Sequence, residues 1–404
     1  MMQCLPVGQL QKTPFWSLYY LHIQPPLIDL IRAVMAQFYP GSSGRDLLDR
    51  VDQTTYFLNV ILFGVMSLIF FKWARRLKTL GFAVFFAVFW TLHPSPLFYM
   101  TLLEGTFLSG VLVFLFMYLL WSPSLTGRTV AYLTGLACLL FYTRTFFQWY
   151  FSPVFLLSLF LRRVPVKQIA LAAAVSVVLI SPWLVKQELL FGSSATTSYN
   201  GYHQLGIIWY EPSVVEKEAV RQTLTYRYPD RADLYNGGQQ LNSAATVYDN
   251  LVDSKIAAER YRNHPAECIR GLWRSFNLNF STYWHASALY TENAMTDRLY
   301  WAHAYNTLFD RNRFVGFICF GLLLWFALRR PWQWQKRQVL ALVGNLLPVA
   351  FIFATSMFSN RYGWTEANRL KFFLEPLFCL FVFTQIHLLI ETCAAFWAKR
   401  DGWP

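Results

Sequence analysis

A series of apolar runs, each close to the ~20 residues that span the hydrocarbon of a bilayer, constrains this chain more than any other feature. Nine are read, over 54–71, 80–92, 105–121, 129–142, 149–161, 168–185, 314–328, 339–358 and 372–390. Apolar residues make up 55% of the chain and charged residues only 14%, which excludes a water-soluble domain. The fourth and fifth runs are kept apart because one helix over 129–161 would be about 50 Å long, well beyond the bilayer core. Arg144 and Gln148 mark the break between them. The expected fold is an all-α polytopic integral membrane protein. It has an external N-terminal loop with an amphipathic helix (1–53), six membrane helices (54–187), an external helical domain (188–312), three further membrane helices (313–392) and a cytoplasmic tail (393–404).

Sidedness follows from Lys and Arg. The short loops 72–78, 122–128, 162–167 and 329–337 and the C-terminal tail share one side and carry 14 of the 35 basic residues, against Glu391 and Asp401 alone. Positive-inside reasoning makes that side cytoplasmic. The remaining 21 basic residues face 20 acidic ones, so the excess charge reports topology and gives no reason to invoke nucleic acid. The six cysteines show no metal spacing; Cys4 and Cys268 fall outside and could pair in an oxidising compartment.

Within 1–53, the run Tyr20 to Ile31 reads as an extended entry and then an amphipathic helix to about Tyr39, since Leu27, Leu30, Ile31 and Val34 share one face. That face suits a membrane surface. His22, exposed just before it, is a candidate proton acceptor. Glu104, a carboxylate at the entry of a membrane run, and Arg144, a cation among aromatics, are candidate site residues; interfacial anchoring is the alternative for each. Arg361 to Lys371, leading into the last run, ends in Glu366, Asn368, Arg369 and Lys371. Arg forks two hydrogen bonds onto phosphate and Lys adds a point charge, so this stretch reads as a phosphate clamp or as a basic membrane anchor. In the hydrophilic region, 191–201 reads as a loop, and Ser213 with Glu216 as a capping box opening a helix to about Leu224. Helices follow over 241–262 and 265–276. Asn279-Phe280-Ser281 is a glycosylation sequon on the outer side. No Gly-rich phosphate loop, catalytic Ser or Cys signature, metal triad or cofactor motif is present.

Taken in order, His22-Ile23-Gln24-Pro25-Pro26-Leu27, His93-Pro94-Ser95-Pro96-Leu97-Phe98-Tyr99, Phe191-Gly192-Ser193-Ser194 with Asn200-Gly201, Asn263-His264-Pro265 with Trp273-Arg274-Ser275-Phe276, and Glu366 to Phe372 with Glu375-Pro376-Leu377 make the chain similar to the GT-C superfamily of membrane glycosyltransferases. That group includes protein mannosyltransferases and aminoarabinose transferases. The resemblance implies inverting transfer of a sugar from a polyprenyl-phosphate donor to a lipid, glycan or protein acceptor, at the external face of a plasma (inner) membrane. It implies that Arg369, Lys371 and Arg144 meet the donor phosphate, with Glu366, Asn368 and Gln24 in support. The family's first-loop catalytic acid has no counterpart before Asp29, which leaves Glu104 and His22 as candidate bases. A first helix and an acid encoded upstream of Met1 would account for the gap, as would a truncated, inactive relative. A transporter or flippase of lipid-linked sugars is the competing class; it would share the anion site without the chemistry.

Overall fold

The computed structural model describes residues 5–103, 105–235, 241–281, 335–358 and 372–400. All regular structure among the described residues is helical. The helices are α1 (Val7–Lys12), α2 (Pro14–Tyr19), α3 (Leu27–Gln37), α4 (Gly44–Leu77), α5 (Leu80–Thr91), α6 (Pro94–Thr101), α7 (Gly105–Leu120), α8 (Gly127–Thr143), α9 (Phe151–Leu161), α10 (Val166–Phe191), α11 (Asn200–Ile207), α12 (Val214–Arg221), α13 (Ala232–Tyr235), α14 (Ala244–Asn263), α15 (Pro265–Ser281), α16 (Lys336–Met357) and α17 (Glu375–Arg400).

Four of them, α4, α10, α16 and α17, are long and apolar enough to cross a membrane, consistent with an integral membrane protein. The pair α5 and α6, bent by 44° at His93–Pro94, makes a fifth if taken as one broken span. Helices α7 and α9 are apolar but shorter. The run read at 314–328 lies outside the described residues.

Two boundaries differ from the sequence expectation. Helix α4 runs 34 residues, about 51 Å, so the last ten residues assigned to the N-terminal loop are its first turns. Those turns are mostly polar; i,i+4 pairs Arg50–Asp46 (3.0 Å) and Arg45–Asp49 (3.9 Å) support their outer side, while Leu47 and Val51 are buried against Val7, Met35 and Ala36. Helix α12 stops at Arg221, three residues early. Its Ser213 cap is present, accepting from Glu216 N at 3.1 Å, but the Glu216 carboxylate accepts from Tyr210 OH (2.5 Å) instead of closing the box.

Lipid tails are as apolar as the side chains, so membrane helices are held by packing and internal polar contacts more than by exclusion from water. The core of α4–α9 is accordingly a lattice of rings: Phe70 stacks on Phe114 (4.0 Å) and Trp90 (4.6 Å), and Phe116 meets Phe151 and Phe155. Phe372 fills the space over Gly110, where a Cβ would lie 2.5 Å from its ring. Helices α5 and α17 run antiparallel and are spaced by aromatic side chains. Lys78 pairs with Glu391 at one end, Phe82 stacks on His387, Phe86 and Phe89 meet Phe383, and His93 faces Glu375 at the other end.

The hydrophilic helices α11, α12, α14 and α15 pack around Leu205, Ile208, Val252, Ile256, Ala257 and Cys268, while Ala232 of α13 packs with Phe191, Tyr228 and Val247. Gly201 lets α11 lie directly on α14; a Cβ there would sit 2.4 Å from Asn250 O and 2.5 Å from Ser254 N. Asn279 is fully buried in α15 and donates to Met357 O at 2.8 Å, so the folded chain leaves no room for a glycan there. Cys268 is buried, and Cys4 lies outside the described residues.

Candidate functional site

His22 occupies a different setting from the exposed one expected. Residues Leu21 to Ile23 are irregular and clamped on both sides. Lys186 Nζ (2.6 Å) and Gln187 Nε2 (3.3 Å) donate to Leu21 O, and Asn242 Oδ1 accepts from His22 N (3.0 Å) and Ile23 N (3.3 Å). Ser198 N donates to His22 O (2.9 Å), and Thr197 Oγ1 to Ile23 O (2.5 Å). The His22 ring is fully buried between Phe191 and Tyr228, with Nδ1 2.6 Å from Ser198 Oγ. Burial, and secondarily the charge of Lys186, push its pKa down to about 3, so the imidazole stays neutral throughout the physiological range. Nε2 is buried and makes no hydrogen bond among the described residues. The ring therefore works as a structural pin between the N-terminal segment and the 192–199 loop, and substrate has no open route to it.

Gln24 serves a neighbouring network. Its Nε2 donates to Asp29 Oδ2 (2.7 Å), while Leu5 N donates to Asp29 Oδ1 (2.9 Å). Arg32 donates to Leu5 O (3.3 Å) and lies 3.7 Å from Asp52. Helix α3 therefore turns Asp29 and Arg32 inward and leaves Leu30, Val34 and the following Phe38 exposed, as an interfacial helix requires. Burial raises the Asp29 carboxyl to about 6, opposed by the Gln24 and Leu5 hydrogen bonds and by Arg32. Beside it, Ile28, Arg32, Thr55, Asn59, Leu103 and Leu108 line a cavity of about 20 Å³, room for one water.

Arg144 stands where α8 ends in extended backbone. Its Nη1 donates to Thr106 Oγ1 at 3.2 Å, which ties it to the first turn of α7. Four residues on, Gln148 Nε2 reaches Asn200 Oδ1 (3.4 Å) at the start of α11. Between them Phe146 and Phe147 pack on Phe373, at 5.9 and 5.8 Å. Gly105 lies against Ile28 of α3 and Thr143 O, so α3, the start of α7, the end of α8, the start of α11 and residues 372–374 meet at one end of the bundle. The guanidinium, the Thr106 hydroxyl and the Gln148 amide are hydrogen-bond donors suited to an anionic oxygen. Glu104, Glu366, Asn368, Arg369 and Lys371 lie outside the described residues; the flanks Gly105 and Phe372 are both buried here.

One pair went unnoticed in the sequence. His93 Nε2 lies 3.6 Å from Glu375 Oε1, and both residues are buried. His93 caps α6 by accepting from Ser95 N at Nδ1 (3.3 Å), which puts the ring proton on Nε2, facing the carboxylate. Each was visible as an ionisable residue beside a proline at the edge of an apolar run, but nothing local indicates that they meet.

Comparison of the chain with family models, curated proteins and solved structures returns no match.

Proposed function

We propose that this protein is a membrane glycosyltransferase that moves a sugar from a polyprenyl-phosphate donor to a lipid, glycan or protein acceptor at the external face of a plasma (inner) membrane. In this proposal the chain has nine spans, the Lys/Arg-rich loops are cytoplasmic, and α11–α15 belong to an external domain. One observation carries it: Arg144, a cation at the end of α8, is tied by its neighbours to α3, the hydrophilic helices and the segment leading out of 359–371. An enzyme joining a membrane-borne donor to an external acceptor needs its anion site at that junction. Arg144, with Arg369 and Lys371, would hold the donor phosphate and stabilise it as a leaving group. Glu104 is the candidate base, since His22 is enclosed.

Arg and Lys carry the same charge, but only Arg donates two parallel hydrogen bonds, so Arg369→Lys separates a phosphate ligand from a membrane anchor. Loss of donor affinity on the order of 10- to 100-fold in a correctly inserted protein fits the proposal, by the ~1.5–3 kcal/mol of hydrogen bonds to charged groups. Wild-type affinity in both Arg369→Lys and Arg369→Ala removes Arg369 from the site. A second class, a transporter of lipid-linked sugars, is favoured by the 44° break between α5 and α6, because transporters place broken helices and ionisable groups at their binding sites.

A further inference from the structure

The His93–Glu375 pair has no part in the chemistry proposed above, yet both side chains are almost fully buried, at 1% and 3% exposure. Stability alone explains such a pair poorly, because well-packed apolar replacements of buried ion pairs are often neutral or stabilising. Inside a membrane bundle, an ionisable residue is retained for function by default.

The contacts leading away from the pair indicate what that function is. Glu375 opens α17, and the three residues before it, Phe372, Phe373 and Leu374, are essentially fully buried. Phe372 fits over Gly110 and meets Tyr99 of α6 at 4.3 Å. Phe373 meets Phe146 and Phe147, the two rings of the turn that starts at Arg144. On the other side, His93 is fixed by its cap on α6 and by Trp90, whose ring stacks on it at 5.0 Å. A continuous chain of contacts thus runs from the break in the α5–α6 span, through the pair and residues 372–374, to the turn that carries the cation.

Resting on the donor site proposed above, we propose that His93 and Glu375 are positioning residues for Arg144: their pairing fixes where the last span begins, and residues 372–374 transmit that position to the Arg144–Gln148 turn. His93 Nε2 faces the Glu375 carboxylate at 3.6 Å, and neither side chain touches the substrate.

The test uses the full chain in lipid nanodiscs and two readouts. The first is the Kd for farnesyl phosphate, a phosphate on a short isoprenoid chain. The second, which needs no ligand, is the rate at which a membrane-impermeant maleimide labels Trp149→Cys in a background with Cys4, Cys319 and Cys393 changed to Ser; Trp149 is exposed on the same turn. His93→Asn is the informative variant, since Asn retains an excellent N-cap for α6 but is too short to reach Glu375. His93→Asn and Glu375→Ala are each expected to raise Kd by about tenfold or more, in line with the cost of misplacing a site group by about 1 Å. Glu375→Gln, which keeps an acceptor oxygen, should fall between these and wild type. In an Arg144→Ala background His93→Asn should have no further effect on Kd, and it should change the Trp149→Cys labelling rate several-fold. An equal loss of affinity with and without Arg144, or an unchanged labelling rate, overturns the proposal. If wild type fails to bind farnesyl phosphate, the donor site falls, and the labelling rate alone decides the positioning role.

Discussion

Replacing Asp29 with Asn should stabilise this protein at neutral pH and do almost nothing at pH 3. Asp29 is fully buried, and its carboxyl titrates at about 6 against an ordinary 3.8. Because the folded-state value is raised, the folded chain holds this proton more tightly than the unfolded chain. The contribution is therefore fully present below about pH 3.8 and is lost as pH rises towards 6, after which it is flat. A difference of about two pH units corresponds to about 3 kcal/mol. Asn keeps the side-chain shape and an acceptor for Leu5 N, and Gln24 can turn its amide to match, so the variant carries the hydrogen bonds without the charge. Thermal unfolding of wild type and Asp29→Asn in detergent, followed from pH 3 to 8, reads the difference. The two should melt together at pH 3 and separate by roughly 3–6 °C in favour of the variant at pH 7. A variant less stable than wild type at every pH, by a constant margin, would show that Asp29 is held as a carboxylate and that Arg32 outweighs burial.

Three further outcomes follow from the geometry. Gly201→Ala should destabilise the α11–α14 contact by about 1–3 kcal/mol, because its Cβ meets backbone atoms that cannot turn aside; a lower melting temperature checks this. Ser198→Ala should cost about 1–3 kcal/mol by removing the hydrogen-bond partner of His22 Nδ1 in a buried site, read by the same melt. Impermeant cysteine reagents applied from outside intact cells should label Ser194→Cys and spare Thr126→Cys, both exposed positions, and the opposite pattern would reverse the proposed sidedness.

Features written into contiguous residues were legible in the sequence. The apolar runs of α10 and α16, the α8–α9 break at Arg144, the Ser213 cap and the outward stripe of Leu30 and Val34 depend on spacing within a few turns. Features that depend on distant partners were not. His22 reads as exposed because nothing beside it shows that Ser198, Asn242 and Lys186 will fold over its segment. Asn279 reads as an open sequon until Met357 O is seen to accept from it. The first turns of α4 are mostly polar, so pattern reasoning ends the helix where the hydrocarbon ends, although local ion pairs and the buried Leu47 and Val51 continue it. The meeting of His93 with Glu375 joins two elements across most of the chain.

The central claim is tested most directly by supplying the purified protein, in proteoliposomes, with a polyprenyl-phosphate donor carrying a radiolabelled sugar, and following the label with and without an acceptor lipid. The account predicts that the label passes to the acceptor and free polyprenyl phosphate accumulates in equal amount, with Arg144→Ala and Arg369→Lys slowing both. Label that crosses the bilayer while still attached to its polyprenyl phosphate, with no free carrier formed, would contradict it and identify a transporter.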